Sequence, residues 1–439
     1  MYSDKIQSIL KKKKIDIGDE VEIDSSKGIF SGLLMPRAAG APDIIVLKLA
    51  NGYNIGIDSK GTEIKLLKKK EVKKSLTAHH SSPHPSRGDV AILGCGGTIA
   101  SRVEYKTGAV YPAISADELR AAFPELDSVS TIHSRELFKL FSDDMAIPHW
   151  KKLAEEVAAE IKDGAKGVVV MHGTDTMSYT SAALSFMMQN LPVPVVIVGS
   201  QRSSDRPSSD NRINLMNAVF AAKQDFAQVG VCMHAGTSDD VCHLHPGTKV
   251  RKMHSSRRDA FKSINSKPLA ILDYRANRFE QLLEIRKRGD GGSLKLNTKM
   301  SDNVAMVYVH PGIRPELISK LDSYDGIVLI ATGLGHIPTN PFNDKLAKPI
   351  LPAVRQLIAS GIPIVVAPQT IYGRLDLNVY TNGRLLKEAG AIGDGADWTP
   401  ECAYVKLCHV LGQTKDMKKV KEMMEKNIAG EISERSPLD

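Results

Sequence analysis

Short, almost unbroken apolar runs recur along most of this 439-residue chain, and they restrict its architecture more than any other feature. They occupy residues 167–171 (GVVVM), 194–198 (PVVIV), 229–233 (VGVCM), 305–309 (AMVYV), 327–331 (IVLIA) and 362–367 (IPIVVA). A strand with one wet face alternates apolar and polar residues. A strand that does not alternate is buried on both faces, as parallel strands beneath helices are. Helical patterns lie between several of the runs. Ile147, Trp150, Leu153, Val157 and Ile161 follow at spacings of three and four, which is one apolar stripe of a helix. Ile213, Met216, Ala218 and Phe220 make a second, less regular pattern. Repetition of strand, loop and helix predicts α/β layers around mainly parallel sheets, and the length exceeds what one compact domain usually holds.

The first 75 residues differ. β-rich runs at 21–23, 28–35, 44–49, 53–57 and 64–67 are separated by turn residues, and Tyr53, Ile55 and Ile57 alternate as a half-buried strand does. So many short strands in so few residues predict a small β-barrel. The Ser-, Pro- and His-containing stretch 76–88 reads as a linker. The polar, Gly-rich interval 286–302 reads as a connection, which places two α/β domains at 89–290 and 303–430. Residues 415–428 form a charged, helical tail.

The net charge is +8, and residues 1–75, with 15 Lys/Arg against 10 Asp/Glu, carry much of it. The lysine runs 11–14 and 68–70 are read first as a solvated surface and second as a patch for an anionic partner such as RNA. Nothing is long and apolar enough to span a membrane. The N-terminus lacks the features of a secretory signal. Five cysteines without a Cys-x-x-Cys pair make no disulfide framework. A cytoplasmic protein is expected.

After the apolar run 90–93 comes GCGGTIA, residues 94–100. A dinucleotide fingerprint needs a third glycine where Ile99 stands, and no phosphate-loop Lys-Ser/Thr follows. A bare loop that offers a hydroxyl at a strand end suits close approach of backbone to a ligand. Taken alone, Thr98 could equally be a capping residue. A second strand end, HGTDTM at 172–177, again carries threonine and an acid. Downstream, GTKVRKMHSSRRDAF supplies two lysines, Lys249 and Lys252. No metal site is expected. His79, His80 and His84 sit in the linker, and Cys242, His243 and His245 have no further ligand set at matching spacing.

GGTIA and HGTDTM, in this order and separation, resemble the paired signature of the type I/II L-asparaginases and related amidohydrolases. FSDDMAIPHWKKLAEEV (141–157) and SSDNRINLMNAV (208–219) extend the resemblance over roughly residues 89–412. It implies a two-domain asparaginase-like α/β fold, preceded here by the barrel. It maps Thr98 onto the nucleophile, and Thr174, Asp175 and a lysine onto a proton-transfer cluster. The family lysine lies seven residues before Asp-Ala-Phe. Asp259, Ala260 and Phe261 therefore select Lys252. A tyrosine assisting the nucleophile is Tyr111, with Tyr105 as the other choice. Ser142, Asp143, Gly97 and Gly173 match substrate-binding positions. Two departures stand out: Cys95 where threonine is common, and GSQRSSDRPSSD (199–210) where many free asparaginases carry Gly-Ala-Met.

Within the family, the added barrel and the basic stretch look like the glutaminase subunits of tRNA-dependent amidotransferases. That implies glutamine as substrate, a threonine acyl-enzyme, and a homodimer through the asparaginase-like domains. It also implies a partner amidotransferase subunit that holds ATP and Mg and most of the contact with the charged Glu-tRNA(Gln). No cofactor is expected in this chain. A free cytosolic L-asparaginase and an RNA-binding scaffold with a dead amidase fold are the alternatives.

Overall fold

The computed structural model describes residues 2–35, 43–49, 54–69, 88–97, 101–103, 110–112, 125–203 and 209–436. The linker expected at 76–88, with its three histidines, lies outside them save for Gly88.

Residues 20–68 form a five-stranded antiparallel sheet in the order Asn54–Asp58, Ile44–Leu49, Gly28–Leu34, Glu20–Ser25, Glu63–Lys68. All five expected strands are present. A helix that sequence patterning did not single out, Asp4–Lys12, buries Ile6 and Leu10. Both join one core with Val21, Ile23, Leu34, Ile45, Leu47, Ile57 and Ile64. The first lysine run therefore ends a helix, where cations oppose the negative end of the helix dipole.

The larger sheet has eight strands. Their order is Arg278–Gln281, Ala270–Asp273, Cys242–Pro246, Val229–His234, Val195–Val198, Gly167–Met171, Val90–Gly96, Ile132–Leu140. The last five are mutually parallel, and the first three attach antiparallel. Alternate residues of one strand enter different cores. Val168 and Val170 pack beneath helices Ile147–Lys162 and Met177–Met187, whereas Val169 and Met171 pack beneath helix Asn211–Ala222. Burial on both faces is why these strands read as continuous apolar runs.

Helix Ile147–Lys162 buries Ile147, Trp150, Leu153 and Val157 of the expected stripe, together with Ala154, while Ile161 is half-buried. Helix Asn211–Ala222 is buried all round except at Arg212, which explains its irregular pattern. A smaller parallel sheet, Val304–Tyr308, Gly326–Ala331 and Ile364–Pro368, shares the first core with the larger one. Helix Pro400–Leu411 lies against Met177–Met187 and links the two. Helix Met417–Glu425 occupies the expected tail. No helix among the described residues is long and apolar enough to cross a membrane.

Candidate active site

Five parallel strands place their carboxyl ends on one edge, where open α/β sheets bind ligands. Three strand-end loops meet there backbone to backbone. Gly96 and Gly97 have φ of +81° and +79°, a region that favours glycine. A Cβ on Gly96 would lie 2.4 Å from Leu140 O, and one on Gly97 would lie 2.4 Å from both Cα and N of Gly173. A Cβ on Gly173 would in turn fall 2.7 Å from the Ser142 Cβ. The bareness of the glycine loop is thus a packing requirement: the loops after Val90–Gly96, Gly167–Met171 and Ile132–Leu140 leave no room for side chains between them. The Gly97 N–H donates to Leu140 O at 3.2 Å, and the Thr176 hydroxyl donates to Ser142 O at 2.7 Å.

Thr98 follows directly but lies outside the described residues, as does Tyr105. Tyr111 belongs to the strand Val110–Pro112, paired with Ser101–Val103, and its backbone stands opposite Arg102. Its side chain lies outside the described residues.

Thr174 is buried at the end of its loop. Lys252, on the short strand Val250–Lys252, points its ammonium into that loop. Its Nζ donates to Thr174 Oγ1 at 2.9 Å and to Asp175 Oδ1 at 2.8 Å. The lysine side chain is 13% exposed, whereas Asp175 is 63% exposed and turns toward solvent. Lys249 goes elsewhere. It is buried, with Nζ 2.7 Å from Asp397 Oδ1 in the C-terminal part of the chain. Ser142 is buried against Gly173, and Asp143, next along the chain, is exposed.

Two supporting networks escape sequence reading. His172 is fully buried between Gly173 O, 2.6 Å from Nδ1, and Thr180 Oγ1, 2.9 Å from Nε2. The Trp150 indole N–H can only donate, and it donates to Thr180 Oγ1 at 2.9 Å. Gly173 O can only accept, so Nδ1 carries the proton of the neutral ring, and the Thr180 hydroxyl donates to Nε2. Burial holds the imidazole neutral, with its pKa lowered to about 4. The chain Trp150–Thr180–His172 thus pins the carbonyl of the loop that presents Thr174. The second network pins the next loop. Asp210 accepts the N–H groups of Gln201 and Arg202, while Asn214 Nδ2 donates to Gly199 O and to Asp210 Oδ2. His234 Nδ1 lies 2.5 Å from Asn214 Oδ1. Burial pushes the Asp210 carboxyl up, against the pull of those amide donors. HGTDTM contains His172, and SSDNRINLMNAV contains Asp210 and Asn214, but Trp150, Thr180, His234 and the 199–202 backbone lie in other elements, so spacing carries no signal for the networks.

Cys95, Cys242 and His245 are all buried. Burial raises the Cys95 thiol to about 12, which keeps it protonated beside the loop. Successive strand residues face opposite sides. Cys242 accordingly takes the Asn217 amide at 3.4 Å, while His245 meets Ser263 at 2.8 Å.

The sequence matches three family models: asparaginase, N-terminal, over residues 89–283; glutaminase/asparaginase C-terminal domain over 303–424; and GatD N-terminal domain over 15–67. It is 46% identical to GatD, a subunit of the glutamyl-tRNA(Gln) amidotransferase, of Methanothermobacter thermautotrophicus, covering 100% of this chain and 98% of that one. With the same protein of Pyrococcus horikoshii the identity is 45%, with 99% of each covered. Among solved structures, the thermostable L-asparaginase from Thermococcus kodakarensis superposes with a TM-score of 0.69 at 33% identity. That match covers 79% of this chain and 99% of that one. L-asparaginase I from Vibrio cholerae gives 0.67 at 29%, covering 79% and 100%.

Proposed function

Because the chain belongs to the GatD family of glutamyl-tRNA(Gln) amidotransferase subunits, built on the asparaginase fold, we propose that it releases ammonia from glutamine for the amidation of Glu-tRNA(Gln). The observation that carries this reading is the Lys252 ammonium set on Thr174 and Asp175, beside the Gly97–Gly173 contact.

Hydrolysis of an amide by a hydroxyl needs a nucleophile relieved of its proton, a stabilised oxyanion and a protonated leaving group. Thr98 Oγ attacks the side-chain carbonyl carbon of glutamine. Lys252 Nζ gives a proton to the departing nitrogen, which leaves as ammonia, and regains one from Thr98 through the Thr174 hydroxyl. A glutamyl ester remains on Thr98, and water, activated by the same cluster, releases glutamate. Tyr111 assists the proton transfer at Thr98. The exposed carboxylates of Asp175 and Asp143 take the substrate α-ammonium group, and Ser142 takes the α-carboxylate. Gly97 and Gly173 let the loops that carry Thr98 and Thr174 close on each other, so that the substrate lies between the two threonines.

A partner, the amidotransferase's GatE protein, would hold ATP and Mg, activate the glutamyl group of the tRNA and receive the ammonia. Two copies of this chain would form the centre of the assembly. The GatD N-terminal domain match favours this over a free L-asparaginase, and the Lys252 cluster disfavours a dead-site scaffold.

The test is ammonia release from glutamine and from asparagine, with Thr98→Ala as the blank. It is run on the chain alone, with GatE, and with GatE plus Glu-tRNA(Gln) and ATP. Release from glutamine that rises only in the full mixture is the expected result. Fast release from asparagine by the chain alone would overturn the reading.

A further inference from the structure

The segment that carries Lys252 is held from outside its own domain. Three residues before it, Lys249 is paired with buried Asp397. One residue before it, Arg251 Nε meets Glu401 Oε1 at 3.1 Å, in the first turn of helix Pro400–Leu411. Four residues before it, the Thr248 hydroxyl donates to Ala429 O at 3.1 Å. Ala429 belongs to an irregular strap, residues 428–436, that lies beyond the end of the matched C-terminal family domain at residue 424.

The strap is fixed by buried charge, not by secondary structure. Glu431, fully buried, accepts the N–H groups of Ile428 and Ala429 and pairs with buried Lys406 at 2.5 Å. The Ser433 N–H donates to Asp397 Oδ1 at 2.9 Å, the same oxygen that holds Lys249. Arg374 donates to Ser433 O at 3.0 Å and to Ser436 Oγ at 3.0 Å. Strap, Asp397 and the 248–251 segment thus form one continuous polar network that ends at Lys252.

We propose that residues 428–436 are a positioning strap for the glutaminase site: through Thr248 and the Asp397–Lys249 pair they set the placement of the Lys252 ammonium between Thr174 and Asp175. The inference rests on the role given to Lys252 above. A displacement of about 1 Å at a proton-transferring group costs up to about 100-fold in rate, so the strap acts on turnover and not on substrate affinity.

The experiment uses the full chain with GatE, Glu-tRNA(Gln) and ATP. It compares the parent with Thr248→Val, which deletes the hydroxyl at nearly constant volume, and Ser433→Pro, which deletes the N–H on Asp397. A Lys249→Met/Asp397→Leu pair replaces the buried ions by apolar side chains, a change often tolerated by folding. Thr248→Ser restores the hydroxyl, and Lys252→Met is the reference for loss of the lysine. Steady-state kinetics, the pH profile of kcat and Tm are read for each. The expected result is kcat lower by about 10- to 100-fold with KM unchanged, an altered pH profile, and recovery in Thr248→Ser. Folded variants whose Tm falls while kcat and its pH profile stay at the parent values would overturn the strap's role. Full activity in Lys252→Met would instead overturn the role of the lysine, and the strap's with it.

Discussion

Gly97 and Gly173 touch backbone to backbone, so the site tolerates no atom added at either. Gly97→Ala meets both a positive φ and the Gly173 main chain at 2.4 Å. Ammonia release in the full complex should fall about 100-fold, with the loss in kcat. Activity within a few-fold of the parent would mean that the loops are free to separate. Thr180 tests a different dependence. Thr180→Val leaves the Trp150 N–H and His172 Nε2 buried without partners, at a cost of about 1–3 kcal/mol. Urea unfolding should register that loss, and Thr180→Ser should restore most of it.

At the scale of elements, helix Ile147–Lys162 supports the site without touching the chemistry. Its apolar stripe seats it on the sheet, Trp150 reaches Thr180, and the turn before it carries Ser142. Leu153, fully buried in that stripe, has no polar partner to lose. Leu153→Ala should therefore destabilise by about 2–5 kcal/mol and leave kcat of the folded fraction unchanged. A lowered kcat at full folding would show that the helix transmits strain to the loop of Ser142. The stripe was readable because the helix has one buried face. Helix Asn211–Ala222 was less readable because burial on all sides erases the period.

At the scale of the whole molecule, buried histidines among the described residues shape the response to mild acid. Burial lowers His172 and His409 from 6.5 to about 4 and lowers His243 and His245 as well. Burial also works against charging His234, but Cys242, Asp239 and Asp210 outweigh it and raise that group. Below pH 6.5 the unfolded chain binds protons that the four lowered histidines refuse, so each removes stability as pH falls toward its folded value. His234, being raised, acts above pH 6.5 and leaves this window nearly untouched, while Asp210, whose carboxyl burial raises, is a group that opposes them within it. Stability should drop between pH 6.5 and 4 by about 1.4 kcal/mol per unit for each of His172 and His409. Denaturant midpoints across that window check it, and a flat profile would contradict it. Removing residues 1–75 is a second test at this scale. Their core is separate from the other two, so the remainder should fold with its Tm nearly unchanged, and any loss should appear in assembly with the partner or in salt-dependent affinity for tRNA.

The layered α/β architecture and the five N-terminal strands were legible because each depends on a local rule: apolar runs bury both faces, alternation buries one, and turn residues break strands. The loops after Val90–Gly96 and Gly167–Met171 were legible as strand ends for the same reason, since each directly follows an apolar run. Helix Asp4–Lys12 was hidden because its lysines read first as surface charge. What only the tertiary structure decided is which groups meet. The family spacing to Asp259-Ala260-Phe261 singled out Lys252, but where each lysine goes is a matter of packing: Lys249 pairs with Asp397, 148 residues away, and Lys252 reaches Thr174. His172, Trp150 and Thr180 join through three different elements. Such contacts depend on how sheets and helices pack, and the distance that matters to a proton is one that chain spacing does not encode.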